Sequence, residues 1–174
     1  SIRDIVVKWA FAVAIVTVVV HVEQRSLLSI GVTWPGWGDI GAAGLVFVLG
    51  AVSYPFTTPL LSSLGFETTV GGIEQLATYP ILFVLSLALT AAVTEELLYR
   101  GFPIERIAER TGSAVFGAGV SVFFFIIFHI PYWGVGGALQ ISVNAVLLSL
   151  LYVWRRNVVA CIISHGITDI YAFI

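Results

Sequence analysis

The chain has 174 residues, 59% of them hydrophobic and 10% charged, with a mean hydropathy of +1.02 and a formal net charge of −2. A soluble domain carries roughly 25% charged residues, so the composition excludes an ordinary soluble globule and reads as an integral membrane protein. The small net charge offers no footprint for nucleic acid, and the length suits a single integral membrane domain over residues 1–174.

Six apolar segments follow one another, each near the roughly 20 residues needed to span a bilayer. The first is Ile5–Val22. Arg3 and Lys8 precede an apolar run, as in a signal peptide, but no small-residue cleavage pattern follows, so it reads as a retained first helix. Ser1 and the absence of Met read as a processed or trimmed chain. Trp34–Asp39 is aromatic and turn-rich, which suits a membrane interface. The second segment is Ile40–Tyr54, short and closed by Pro55. Pro55–Thr78 is the one long connection, expected as an interfacial helix or a re-entrant piece. The third segment, Tyr79–Tyr99, contains Glu95 and Glu96. The fourth is Ser113–Ile130, ended by Pro131. The fifth is Gly134–Trp154 and the sixth Val158–Ile174. Runs of this length cross lipid as helices, not as barrel strands. The expected fold is therefore an all-α polytopic bundle of six transmembrane helices, packed in part through small residues such as Gly41–Gly44 and Gly117–Gly119.

Six spans place Arg25, Arg106, Arg110, Arg155 and Arg156 on one side, and Arg3 and Lys8 on the other. The positive-inside rule then puts the five-arginine side in the cytoplasm of a multi-pass cell-membrane protein.

Few ionisable groups remain at membrane depth: Glu95, Glu96 and Arg100 on the third helix, His129 on the fourth, and His165 and Asp169 on the sixth. Glu96 and Arg100 are four apart and share a face. Glu95 lies about 100° around the helix, on the face of Tyr99. The spacing gives Glu96 a cationic partner and aims Glu95 elsewhere. His165 and Asp169 again share a face. Each group alone has a structural reading, as a buried ion pair, an interfacial histidine or a helix-stabilising pair. Facing lipid together they would cost well over ~10 kcal/mol, so they are expected to face one another across a polar chamber between helices.

Two His, two Glu and one Asp suit either a metal or general acid–base work. No His-Glu-x-x-His run is present, so the metal reading lacks a spacing signature, although distant ligands could still converge on zinc. Ser164 adjoins His165, and adjacent helical side chains point apart; a serine nucleophile is poorly supported. Cys161 is the one cysteine, with no partner for an intrachain disulfide, and reads as packing. Water activated by a carboxylate remains.

Glu95-Glu96-x-x-x-Arg100, Phe125-x-x-x-His129 and His165-x-x-x-Asp169, in that order, resemble the three motifs of the CPBP family, the CAAX proteases and bacteriocin-processing enzymes also called Abi. Arg25–Gly31 looks like a segment common in its prokaryotic members. The resemblance covers Tyr79–Phe173 and makes residues 79–174 the catalytic core. It implies an intramembrane glutamic endopeptidase that needs no cofactor or metal. Its substrate would be a peptide or protein among membrane lipids, either prenylated near its C-terminus or another small peptide, cut near the cytoplasmic face. Glu95 would activate water with help from His129. His165 and position 169 would form the oxyanion site, and Glu96 and Arg100 would support the catalytic helix. Position 169 is often Asn in eukaryotic-type members. An ionised carboxylate repels an oxyanion, so Asp169 is expected to orient His165, which alone donates. A zinc-dependent membrane protease using the same residues and a non-catalytic membrane scaffold or carrier are the alternatives.

Overall fold

The computed structural model describes residues 2–76 and 78–173; Ser1, Ala77 in the long connection, and Ile174 at the end of the sixth expected span lie outside the described residues. The described chain is a helical bundle, in which α1 is Ile2–Thr17 and runs on through a π-helical turn, Val18–Val22. A 3₁₀ turn at Leu27–Ile30 leads to α2, Trp37–Ser63. A short α3, Val70–Leu76, precedes α4, Ile81–Glu96. A π-helical turn, Leu97–Gly101, joins α4 to α5, Phe102–Thr111. The long α6, Ala114–Arg155, and α7, Val158–Phe173, complete the chain.

The expected all-α bundle holds, with four of its helical runs long and apolar enough to cross a membrane. The burial pattern is that of a protein dissolved in lipid. Leu82, Leu89, Phe123, Phe128 and Leu150 point outward, while Glu95, Glu96, Arg100, Gln140, Ser149 and His165 are buried. In hydrocarbon the apolar side chains need no shelter and the polar ones do.

Three span boundaries differ from the sequence reading, two of them at prolines. Pro55 does not close the second helix; α2 runs through Pro55 and Pro59 to Ser63. The Ser53 and Thr57 hydroxyls bond carbonyls one turn back, at Gly50 (2.6 Å) and Ser53 (3.0 Å), which is how membrane helices accommodate proline. The long connection thus shrinks to Leu64–Thr69 and the short α3. It is anchored by buried Gln140, whose Oε1 accepts from the Thr69 amide and hydroxyl, both at 2.9 Å. Pro131 likewise lies inside α6. The break falls at Gly134, with φ 66° and ψ 179°, a conformation that glycine alone adopts freely.

The third helix does not end at Tyr99 but continues to Thr111. Its C-cap, Gly112, has φ 76°.

Contacts along α6 show that the chain doubles back at Gly134. Gly117 lies against Ile104 and Ser121 bonds the Tyr99 carbonyl. On the other arm, the Arg100 guanidinium reaches Ala145 and Ser149, and Tyr152 reaches Glu105. One arm therefore runs antiparallel to α4–α5 and the other parallel, so the two arms of α6 correspond to the fourth and fifth expected segments. α7 then returns against α4, with Gly166 beside Ala92.

The five arginines expected on one side do gather at one end. Arg25 pairs with Glu109 at 2.6 Å, Arg106 with Glu23 at 2.5 Å, Arg155 with Asp39 at 2.7 Å, and Arg156 with Glu105. Asn157 caps α7 through the Val159 and Ala160 amides. Arg25–Gly31 belongs to this end: Ser26 caps the 3₁₀ turn and Ser29 receives Arg106.

Candidate active site

The three helices that carry the motifs bring their polar residues into one cluster. On α4, Ala88, Thr90, Ala92, Thr94, Glu95 and Glu96 are buried, so this helix is enclosed by its neighbours at the level of the glutamates. The π-helical turn that follows widens the helix by one residue, a distortion frequent at functional sites. It sets Arg100 and Gly101 inward; a Cβ on Gly101 would lie 2.8 Å from the Ile30 carbonyl oxygen.

Glu96 and Arg100 form the sealed side of the cluster, both with 0% side-chain exposure and 2.8 Å apart. Arg100 also donates to the Ala145 carbonyl at 3.2 Å and lies over the Phe125 ring at 4.8 Å. Glu96 Oε1 takes a second bond, 2.7 Å from His165 Nδ1. A carboxylate only accepts, so Nδ1 carries a proton. His165 Nε2 then points toward Asp169, 3.5 Å from Oδ2. The nearer partner orienting His165 is Glu96, where the sequence reading expected Asp169.

Glu95 has different company. Its Oε2 lies 3.6 Å from His129 Nε2. His129 Nδ1 lies 2.7 Å from the Phe125 carbonyl oxygen, which can only accept, so Nδ1 carries a proton and Nε2 is the nitrogen turned toward Glu95. Stacking on Phe125, with centroids 4.0 Å apart and planes at 24°, fixes the ring. At 3.6 Å the carboxylate and imidazole are too far apart for a good direct hydrogen bond, yet one water can reach both.

The reading of Glu95 as the carboxylate without a partner is overturned. Lys8 Nζ, from α1, lies 2.5 Å from Glu95 Oε1. Trp9 Nε1 donates to Thr90 Oγ1 at 3.2 Å and pins α1 to α4 at the same level. Charge counting along the sequence places Lys8 on the loop side opposite the arginines. Its signal was faint: it is the sole lysine of the chain, set in an apolar run.

Side-chain exposure rises across the cluster, from 0% at Glu96 and 8% at Glu95 to 14% at His129, 18% at Asp169 and 39% at Lys8. Glu95 therefore faces the approachable side and Glu96 the sealed one. Lys8, His129 and Asp169 lie within about two turns of the helix ends at Ile2, Gly134 and Phe173. The cluster thus sits in the half of the bundle away from the arginines. Cleavage near the cytoplasmic face and arginine-rich loops in the cytoplasm do not fit together.

Among the described residues no group of three or more His, Cys, Asp or Glu side chains is arranged to hold a metal ion. Cys161 is buried, with Sγ toward the Leu148 and Asn157 carbonyls. Ser164 Oγ is buried without a hydrogen-bond partner, as is Glu96 Oε2.

Fold and site together define a polytopic helical membrane protein with a carboxylate–imidazole cluster held between its helices. Residues 77–171, more than half the chain, match the family described as type II CAAX prenyl endopeptidase Rce1-like, and the chain belongs to that family. It is a membrane protease of the CPBP group, a peptide hydrolase acting on peptide or protein substrates. No curated protein and no solved structure matches the chain.

Proposed function

We propose that this protein is an intramembrane glutamic endopeptidase that uses Glu95 to activate water. The supporting observation is the facing pair of Glu95 Oε2 and His129 Nε2, 3.6 Å apart on the approachable side of the cluster. A water beside the pair, hydrogen-bonded to both and donating to Glu95, keeps a lone pair free to attack a peptide carbonyl. Glu95 takes the proton as the C–O bond forms and returns it to the leaving amine as the C–N bond breaks. His165 and position 169 line the oxyanion side. Glu96, neutralised by Arg100, holds His165 with its Nε2 outward. Residues 79–174 are the catalytic core of a single domain.

The substrate is a membrane-anchored peptide, lipid-modified near its C-terminus and cut close to that end. The protein lies in the cell membrane with the arginine-rich end in the cytoplasm, which puts the catalytic cluster in the opposite half of the bilayer.

Purified protein in lipid vesicles should cleave a farnesylated C-terminal peptide, and Glu95→Ala and His129→Ala should each stop it. Turnover that survives Glu95→Ala would end the assignment. Equimolar zinc together with chelator-sensitive activity would replace it with a metalloprotease.

A further inference from the structure

The Lys8–Glu95 pair is hard to explain as a structural tie. A general base must be free to take a proton, yet this one is held by an ammonium 2.5 Å away. The two partners are unequal. Glu95 is nearly buried, whereas the Lys8 side chain retains 39% of its exposure on a flexible four-carbon stem. Three carboxylates, Glu95, Glu96 and Asp169, stand in this cluster. Arg100 is fully buried and committed to Glu96 and Ala145. Lys8 is the lysine of a chain that has no other. A substrate ending in a free carboxylate would be repelled here unless a cation received it, and Lys8 is placed at the approachable edge to do so.

We propose that Lys8 is a substrate-specificity residue: it holds Glu95 in the resting site and transfers to the free C-terminal carboxylate of the peptide when substrate enters. This rests on the peptidase reading above and adds its recognition rule. A C-terminal CAAX peptide ends in such a carboxylate. The transfer is an exchange of ion-pair partners with no bond made or broken. It leaves Glu95 Oε1 without its cation as the scissile carbonyl arrives, so the base is released only by a chain end of the right charge. Around Lys8 stand Glu95 on α4 and Asp4 one turn earlier on α1. Around Glu95 stand His129 on α6, and His165 and Asp169 on α7.

The test uses the full chain in vesicles and two farnesylated peptides identical except for a C-terminal acid or a C-terminal amide. The wild type should favour the acid at least tenfold in kcat/KM, mostly through KM. Lys8→Met should bring the acid-to-amide ratio near one, and Lys8→Arg should restore the preference. A wild-type ratio near one overturns the proposal whatever the variants do. So does a preference retained in Lys8→Met, or an equal loss of kcat on both peptides that Lys8→Arg does not rescue. Failure of the peptidase reading is distinct: the wild type then cuts neither peptide, or Glu95→Gln cuts both as well as the wild type.

Discussion

Glu95 and Glu96 are neighbours in sequence and hold opposite positions in the bundle: Glu96 is locked between Arg100 and His165 at 2.8 Å and 2.7 Å, while Glu95 meets Lys8 at 2.5 Å and faces His129. About 100° of helical rotation separates them. That rotation is enough to send one carboxylate into a sealed ion pair and the other to the accessible edge.

The two should fail differently when replaced. Glu95→Gln removes the proposed base and should lower kcat at least ~10²-fold, the scale of general-base catalysis, with little change in melting temperature. Glu96→Ala leaves the Arg100 guanidinium buried without its carboxylate. Breaking such a pair costs about 3–5 kcal/mol, which in a chain of this length is a fall of roughly 10 °C in melting temperature. Thermal melts and initial rates on the same two preparations check the split.

Much of this arrangement was legible in the residues. Hydropathy marks the apolar helices because lipid rewards every apolar side chain on the outside of the bundle, so the signal does not depend on tertiary contacts. The spacing of Glu96 and Arg100 gave their pairing, because i and i+4 are fixed by the helix itself. What was lost depended on contacts between helices or on local repair. Pro55 and Pro131 read as helix ends, but Ser53 and Thr57 support the chain around the first and the actual break falls at Gly134. The Lys8–Glu95 and Glu96–His165 pairs join residues far apart in sequence, which no periodicity reports.

The packing of α5 on α6 depends on one missing methyl group. A Cβ on Gly117 would stand 2.9 Å from the Ile104 carbonyl oxygen and 3.2 Å from its Cα, and backbone cannot swing aside. Gly117→Ala should destabilise by about 1–3 kcal/mol, as overpacking does. Gly119→Ala, where a Cβ meets nothing within 4 Å, should be close to neutral. Denaturation of the two variants side by side checks this.

Stability should also carry an acid limb from the arginine-rich end. The hydrogen bond and charge of Arg106 hold Glu23 below its ordinary carboxylate range. A depressed folded-state pKa means the pair stabilises above the unfolded value and loses its contribution as pH falls through the folded one. Melting temperature should therefore drop as pH is lowered below about 4.5. Glu23→Gln should shrink that drop, and added salt should weaken the effect in the wild type because the pair is partly exposed.

Asp169 tests how His165 is held. Its carboxylate lies 3.5 Å from His165 Nε2, whereas Glu96 lies 2.7 Å from Nδ1. If Glu96 fixes the ring through Nδ1–H and His165, protonated on both nitrogens, alone donates to the oxyanion from Nε2, position 169 needs no negative charge. An amide there can itself donate, as oxyanion sites require. Asp169→Asn should keep activity within about tenfold of the wild type, inside the 10²–10³ loss that follows removal of one oxyanion donor. His165→Ala should fall by that larger factor. Initial rates on one peptide, with helical content checked by circular dichroism, compare the two. Abolished activity in a folded Asp169→Asn protein would mean that the carboxylate itself acts in the reaction, and the oxyanion side would have to be reassigned around it.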